Sequence, residues 1–301
     1  MQQDQDRQGL LTAIRLNNGV ELPALGLGVF QIPADETAAA VDAAISNGYR
    51  LIDTAAVIGN EREVGEGIRR SGIDRSDVFV TTKLWISDYG SEGARRGCAG
   101  SLKRLGVDYL DLLLLHEPLP TDFEATTAAF RALERLRADG HVRAIGVSNF
   151  SSHQLTALIE ETGLVPTVNQ VEIHPFFTQR PLCEFHARHT IVTQAWSPLA
   201  GVMSYGEHGM KGPLEHPTIT AIASRHGRTA AQVVLRWHLD QGRSAIPKSA
   251  RPARIAENAR VFDFRLTAEE IASIDALDAG ARGGQEPDSI DRECYPFEVD
   301  N

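Results

Sequence analysis

The sequence predicts a single α/β domain, a (β/α)8 TIM barrel with an N-terminal β-hairpin cap and long loops at its C-terminal mouth. Three observations carry that expectation. Eight short apolar runs alternate with helix-period segments, most of these runs are continuously apolar, and polar residues collect at the ends of seven of them. Continuous apolarity is what a parallel sheet covered on both faces requires. A hairpin, TAIRLNN then GVELPALGLG, comes first, and its last residues open the series as LGLG near Gly28. The series continues with LIDT to Thr54, VFVTTK to Lys83, LDLLLLH to His116 and VRAIGVSN to Asn149. It ends with TVNQ to Gln170, IVTQAW to Trp196 and SAIPK to Lys248. Capping-box pairs Ser151 with Gln154, Thr229 with Gln232 and Thr267 with Glu270 start helices, while Gly48, Gly72 and Gly140 stand where helices stop. A doubly wound sheet is the alternative, but no G-x-G-x-x-G follows any strand. Residues 1–301 read as one domain, with 1–10 and 285–301 as flexible tails and the stretches after Trp196 and Asp278 as loops over the mouth.

Bulk properties exclude several partners. A chain of 301 residues with 42% hydrophobic content supplies one sizeable core. A formal net charge of -10 lacks the basic footprint that nucleic acid needs. No run approaches the roughly 18 apolar residues of a membrane span, and the start, MQQDQDRQGLL, has no export pattern. Three scattered cysteines, Cys98, Cys183 and Cys294, suit reduced thiols, so a cytoplasmic location is expected. Cys183, His186 and His189 have a metal-like spacing without a fourth ligand, and no metal is expected. The partner is a small molecule, and the chain is expected to be a monomer.

In such a barrel the active site forms at the C-terminal ends of the strands. Asp53, Lys83, His116, Asn149, Gln170, Ser197 and Lys248 lie there and aim at one mouth. The segments GYRLIDTAAVIGNEREVGEGI, VFVTTKLW, LDLLLLHEP, GVSNF, NQVEIHP, AWSPLAG and IPKSARPARIAEN, in that order, resemble the signature segments of the aldo-keto reductase family. The branch they resemble most contains bacterial 2,5-diketo-gluconic acid reductases.

The resemblance implies an NADPH-dependent oxidoreductase in which a tyrosine protonates the substrate oxygen as hydride arrives, aided by an aspartate, a lysine and a histidine. These match Asp53, Lys83 and His116, but Ile58 stands at the tyrosine position before Gly59, Asn60 and Glu61. Isoleucine donates no proton, so ordinary carbonyl reduction is expected to be impaired. His116, a water held by Lys83 and His116, or one of Tyr89, Tyr205 and Tyr295 are the alternative donors; Tyr49 and Tyr109 precede their strands and belong to the other end. A further alternative is an iminium substrate, which needs hydride alone.

For the cofactor, the resemblance assigns Ser148, Asn149 and Gln170 to the nicotinamide carboxamide and Trp196 to stacking on its ring. Ser197 and Leu199 fall to the pyrophosphate, Lys248, Ser249 and Arg254 to the adenosine 2'-phosphate, and Glu257 and Asn258 to the adenine. Phe30, Trp85, Ile86 and Glu117 are expected to line the substrate pocket, with Glu117 read either as a carboxylate that attracts a cation or as a solvated loop glutamate. A different class of reading also fits an intact cofactor site beside a missing acid: an NADPH-binding module that acts through a partner.

Overall fold

A computed structural model describes residues 12–201, 212–293 and 295–299; the 1–10 tail, Tyr205 and Cys294 lie outside the described residues. Strand β1 (Ala13–Arg15) pairs antiparallel with β2 (Glu21–Pro23). Eight parallel strands come next: β3 (Leu27–Gly28), β4 (Leu51–Asp53), β5 (Phe79–Leu84), β6 (Leu110–Leu115), β7 (Val142–Ser148), β8 (Val168–Glu172), β9 (Val192–Trp196) and β10 (Ser244–Ala245). The helices around them are α1 (Ala34–Ser46), α2 (Glu61–Ser71), α3 (Ser91–Leu105), α4 (Phe123–Ala138), α5 (Ser152–Thr162), α6 (Arg180–Arg188), α7 (Pro217–His226), α8 (Ala230–Asp240), α9 (Pro252–Ala259) and α10 (Ala268–Asp275).

The first and last barrel strands meet, which rules out an open doubly wound sheet. Leu25 bridges Ala245 and Gly28 bridges Lys248, both parallel. Gly26 donates its N–H to the Ala245 carbonyl at 2.9 Å and Gly28 to the Pro247 carbonyl at 3.2 Å. A Cβ on Gly28 would lie 2.8 Å from the Ile246 carbonyl oxygen, so this seam needs a glycine. The strand at SAIPK is shorter than its apolar run because Pro247 has no N–H to give a neighbour.

Burial divides by strand parity. Leu51, Phe79, Leu112, Leu114, Ala144, Val168 and Ile246 fill the barrel interior, and Leu16 and Leu22 of the hairpin close its lower end. The intervening residues Ile52, Val80, Leu113, Leu115, Ile145 and Val147 pack outward with Val41, Phe130 and Leu133 of the helices. Steps of two along each strand from the interior set reach Asp53, Lys83, His116, Ser148, Gln170 and Lys248. Side-chain alternation therefore puts the polar residues on the barrel axis, above the apolar plug.

All three predicted capping boxes form: Ser151 with Gln154 opens α5, Thr229 with Gln232 opens α8, and Thr267 with Glu270 opens α10. Gly65 sets how closely α2 approaches the end of α3, since a Cβ there would fall 1.9 Å from the Leu105 carbonyl oxygen. Gly65→Ala is expected to destabilise the fold by at least about 1–3 kcal/mol, the usual cost of overpacking. Urea denaturation at neutral pH reads this as a lower midpoint at unchanged slope.

Candidate active site

A belt of hydrogen bonds crosses the barrel under its mouth. Lys83 Nζ donates to Asp53 Oδ1 at 2.5 Å and to the Thr54 carbonyl at 2.9 Å. Gln170 Nε2 donates to Asp53 Oδ2 and to Gln194 Oε1, both at 2.7 Å, and Gln194 Nε2 continues to Ser244 Oγ at 3.1 Å. Burial pushes the Asp53 carboxyl up, and the Lys83 charge and the bonds from Lys83 and Gln170 draw it part of the way back. His116 stands above the pair, with the Trp85 ring edge-on at 5.2 Å. Burial, and then the Lys83 charge, hold its imidazole well below the usual range, so it is neutral at neutral pH. Its Nδ1 is buried and has no hydrogen-bond partner among the described residues.

Ile58 ends a 3-10 turn, Ala56–Ile58, that packs beside β5 and leaves it half-buried. The next three residues are firmly anchored. Gly59 takes the left-handed conformation at φ 77. Asn60 is buried; its Oδ1 accepts from Thr54 Oγ1 at 2.8 Å and its Nδ2 donates to the Val29 carbonyl at 3.2 Å. Glu61, also buried, accepts from Thr82 Oγ1 and Arg104 Nε, each at 2.6 Å. The turn that presents residue 58 is thus held from both sides.

None of the described tyrosines stands free at the mouth as a ready acid. Tyr89 is buried, and its hydroxyl donates to the Glu117 carbonyl at 2.5 Å while the Glu117 N–H donates back to it at 3.3 Å. Burial holds this phenol well above its ordinary range, so Tyr89 is a clamp on the chain and a poor acid. Tyr295 sets its ring edge-on to Trp85 at 6.0 Å. Tyr49 is buried against helix α9, with its hydroxyl on the Ile255 carbonyl at 3.2 Å, and Tyr109 lies under the Arg75 guanidinium at 4.1 Å.

The nicotinamide candidates form one cluster. Ser148 Oγ donates to the Gln170 carbonyl at 2.8 Å. Asn149 Nδ2 donates to Glu117 Oε1 at 2.8 Å and to the His116 carbonyl at 3.3 Å, while its Oδ1 accepts from Trp196 Nε1 at 2.8 Å. Gln170 gives both side-chain amide hydrogens to Asp53 and Gln194, and its side-chain oxygen Oε1 is the group left to accept from a ligand amide. Asn149 (φ 64) and Ser197 (φ 44) both hold left-handed backbone, a strained state for serine and one that recurs at functional sites.

At the seam, Lys248 and Arg254 are exposed beside the N-terminus of α9, and Ser249 Oγ accepts from the Arg251 N–H at 3.1 Å. Two cations, a hydroxyl and a helix N-terminus suit a phosphate. Glu257 accepts from Thr229 Oγ1 at 2.9 Å and Asn258 is buried, so both are engaged in helix packing. Leu199 packs half-buried against the core.

Of the expected pocket residues, Phe30 is 47% exposed and Trp85 lies under the mouth, but Ile86 is fully buried in the outer core and presents no surface to a substrate. Glu117 is half-buried. Burial pushes its carboxyl up to about 8, against the Asn149 bond and the charges of Arg282 and Lys83. At neutral pH it is chiefly the uncharged acid, which corrects the expectation of a cation-attracting carboxylate. The metal-like triplet disperses: His186 bonds Asn169 and Thr193, Cys183 bonds the Thr178 carbonyl, and His189 bonds the Phe185 carbonyl.

Sequence reasoning missed Glu172 and Arg282. Glu172 lies two residues past Gln170 on the interior parity, and its carboxylate accepts from the Gly283 and Gly284 N–H groups at 2.8 Å each and contacts His174 Nε2 at 3.0 Å. This fastens the chain after Asp278 beside the Trp196 ring, where a Cβ on Gly284 would lie 2.5 Å from the indole. Arg282 lies over the Phe177 ring at 4.7 Å. The parity of Glu172 was the available signal.

A closed (β/α)8 barrel with a buried Asp–Lys pair, a neutral histidine and a phosphate-type corner at one mouth has the layout of a barrel enzyme. The chain belongs to the aldo/keto reductase family, whose model matches residues 24–279. It is 53% identical over 286 residues to morphine 6-dehydrogenase of Pseudomonas putida, covering 94% of this chain and 96% of that protein. It is 43% identical over 279 residues to methylglyoxal reductase DkgA of Escherichia coli strain K12, covering 93% and 98%. A solved Bombyx mori aldo-keto reductase in complex with NADP superposes with a TM-score of 0.85 at 36% identity, covering 91% of this chain and 95% of that one. No helix among the described residues is long and apolar enough to cross a membrane.

Proposed function

We propose that this protein is an NADPH-dependent oxidoreductase that reduces a small carbonyl or an imine or iminium, with ordinary carbonyl reduction weakened by Ile58. The observation that carries the reading is the Asp53–Lys83 pair with neutral His116 above it, next to a turn that ends in Ile58. The donor set fits the cofactor. Gln170 offers a carbonyl oxygen to a carboxamide, Trp196 a flat indole to a ring, and Lys248, Ser249 and Arg254 charged and hydroxyl donors to a 2'-phosphate. When bound, NADPH supplies the hydride. His116, kept neutral, orients the acceptor atom, and Lys83 and Asp53 set the field beneath it while satisfying each other's charge.

Arg254→Ala is expected to weaken NADPH binding about tenfold or more and leave NADH binding nearly unchanged. A hydrogen bond to a charged group contributes about 1.5–3 kcal/mol, and 1.4 kcal/mol is tenfold in Kd. Fluorescence titration with both dinucleotides measures the ratio. The function itself is tested by single-turnover oxidation of bound NADPH with a panel of aldehydes, ketones and cyclic imines. Binding without oxidation by any member favours the binding-module reading, which the missing acid at position 58 also fits.

A further inference from the structure

We infer that Glu117 is the proton donor of this site, giving its carboxyl proton to the oxygen of a carbonyl, or the nitrogen of a neutral imine, as that group is reduced. The inference rests on the reductase reading above and adds the group that completes it.

Three contacts place the carboxyl. The Tyr89 hydroxyl engages both the carbonyl and the N–H of Glu117, at 2.5 and 3.3 Å, so the main chain of residue 117 cannot swing away. Asn149 Nδ2 holds Oε1 at 2.8 Å. The same amide bonds the His116 carbonyl and accepts from Trp196 Nε1, which ties the carboxyl to the wall between histidine and indole. Oε2 carries no such bond among the described residues and is the oxygen free to bear the proton.

The charges around it are compatible with an acid. Lys83 and Arg282 face it as cations, and Asp53 is neutralised by its bond to Lys83. His116 and Tyr89 are uncharged at neutral pH. Burial outweighs the two cations and the Asn149 bond and leaves the carboxyl titrating at about 8, near the operating range that favours general acid catalysis. In the step, a C–H bond forms with hydride from the reduced cofactor and the carbonyl π pair moves to oxygen. The O–H bond of Glu117 breaks, its proton passes to that oxygen, and the carboxylate left behind recovers a proton from solvent. An N-alkyl iminium needs no proton, and Glu117 has no part in its reduction.

The test compares wild-type and Glu117→Gln enzyme, each loaded with NADPH, on a simple aldehyde, a neutral cyclic imine and a permanently charged N-methyl iminium. Glutamine retains the oxygen that Asn149 grips but has no acidic proton. The expected result is a fall of about 100-fold or more in kcat/KM for the two neutral acceptors, with a far smaller change for the iminium. The wild-type rate on the aldehyde is expected to decline above about pH 8, and that limb to vanish in the variant. An infrared pH-difference spectrum without substrate gives a readout besides turnover: a carboxylic-acid band lost near pH 8 in wild type and missing from the variant. Equal losses on all three substrates mean a packing role and overturn the proposal, as does unchanged aldehyde reduction or the lack of that band. Failure of the reductase reading looks different: NADPH binds to both proteins and no substrate oxidises it in either, and the donor role then falls with it.

Discussion

Lys83→Met is expected to destabilise the protein by about 3–5 kcal/mol, the cost of leaving a buried charge without its partner. Both side chains of the pair are nearly inaccessible, at 4% and 5% exposure, so water cannot replace the ammonium. Gln170 still donates to Asp53 Oδ2, but a neutral amide does not offset a full negative charge. Burial already raises the Asp53 carboxyl, and Lys83 is the main force opposing it. Without the lysine the folded-state value climbs further above the unfolded value of about 3.9. Linkage then fixes the sign: a folded state that binds its proton more tightly is penalised at high pH and relieved as pH falls through the folded value. The deficit of the variant is therefore largest at neutral and alkaline pH and shrinks on acidification. Urea denaturation across pH measures it. A double variant, Asp53→Leu with Lys83→Met, is expected to recover most of the loss, because replacing a whole buried pair by apolar groups is often neutral. A double variant no more stable than the single one contradicts an electrostatic origin.

Much of this arrangement was legible in the sequence because its signals are local. A continuous apolar run ending in a polar residue marks both a covered strand and its mouth end, and the parity that buries Leu112 and Leu114 also carries His116 to the axis. The three capping boxes needed only four residues each. The features that stayed hidden depend on contacts between distant segments. Tyr89 reads as a spare acid until its hydroxyl is found on Glu117, 28 residues away. Glu117 reads as a surface carboxylate until its walls are known. Ile86 comes after Trp85 toward the mouth in sequence, yet its 3-10 turn points it into the core. The hold of Glu172 on Gly283 and Gly284 spans more than 100 residues, and no local pattern announces it.

In the Glu117→Gln background Ile58→Tyr is expected to raise aldehyde reduction about 100-fold to 10,000-fold, the usual contribution of a positioned general acid, and by less in the wild-type background, where Glu117 already gives the proton. The scaffold for the new side chain is already built. Gly59 holds its left-handed turn, Asn60 is fixed by Thr54 and Val29, and Glu61 is locked between Thr82 and Arg104. Lys83, bonded to the Thr54 carbonyl in the same loop, supplies the ammonium that lowers a phenol from its ordinary value of about 10. The measurement is kcat/KM for a simple aldehyde, with NADPH affinity as the control. The informative comparison is between substrates. A tyrosine that donates a proton accelerates the aldehyde strongly and the N-methyl iminium hardly at all, whereas one that merely fills the pocket alters both alike. Placed in the Glu117→Gln background, Ile58→Tyr is expected to restore aldehyde reduction, because the two positions then supply the same proton from different walls of one mouth. No rise in either background means that residue 58 does not face the reacting atom, and the assignment of that position fails.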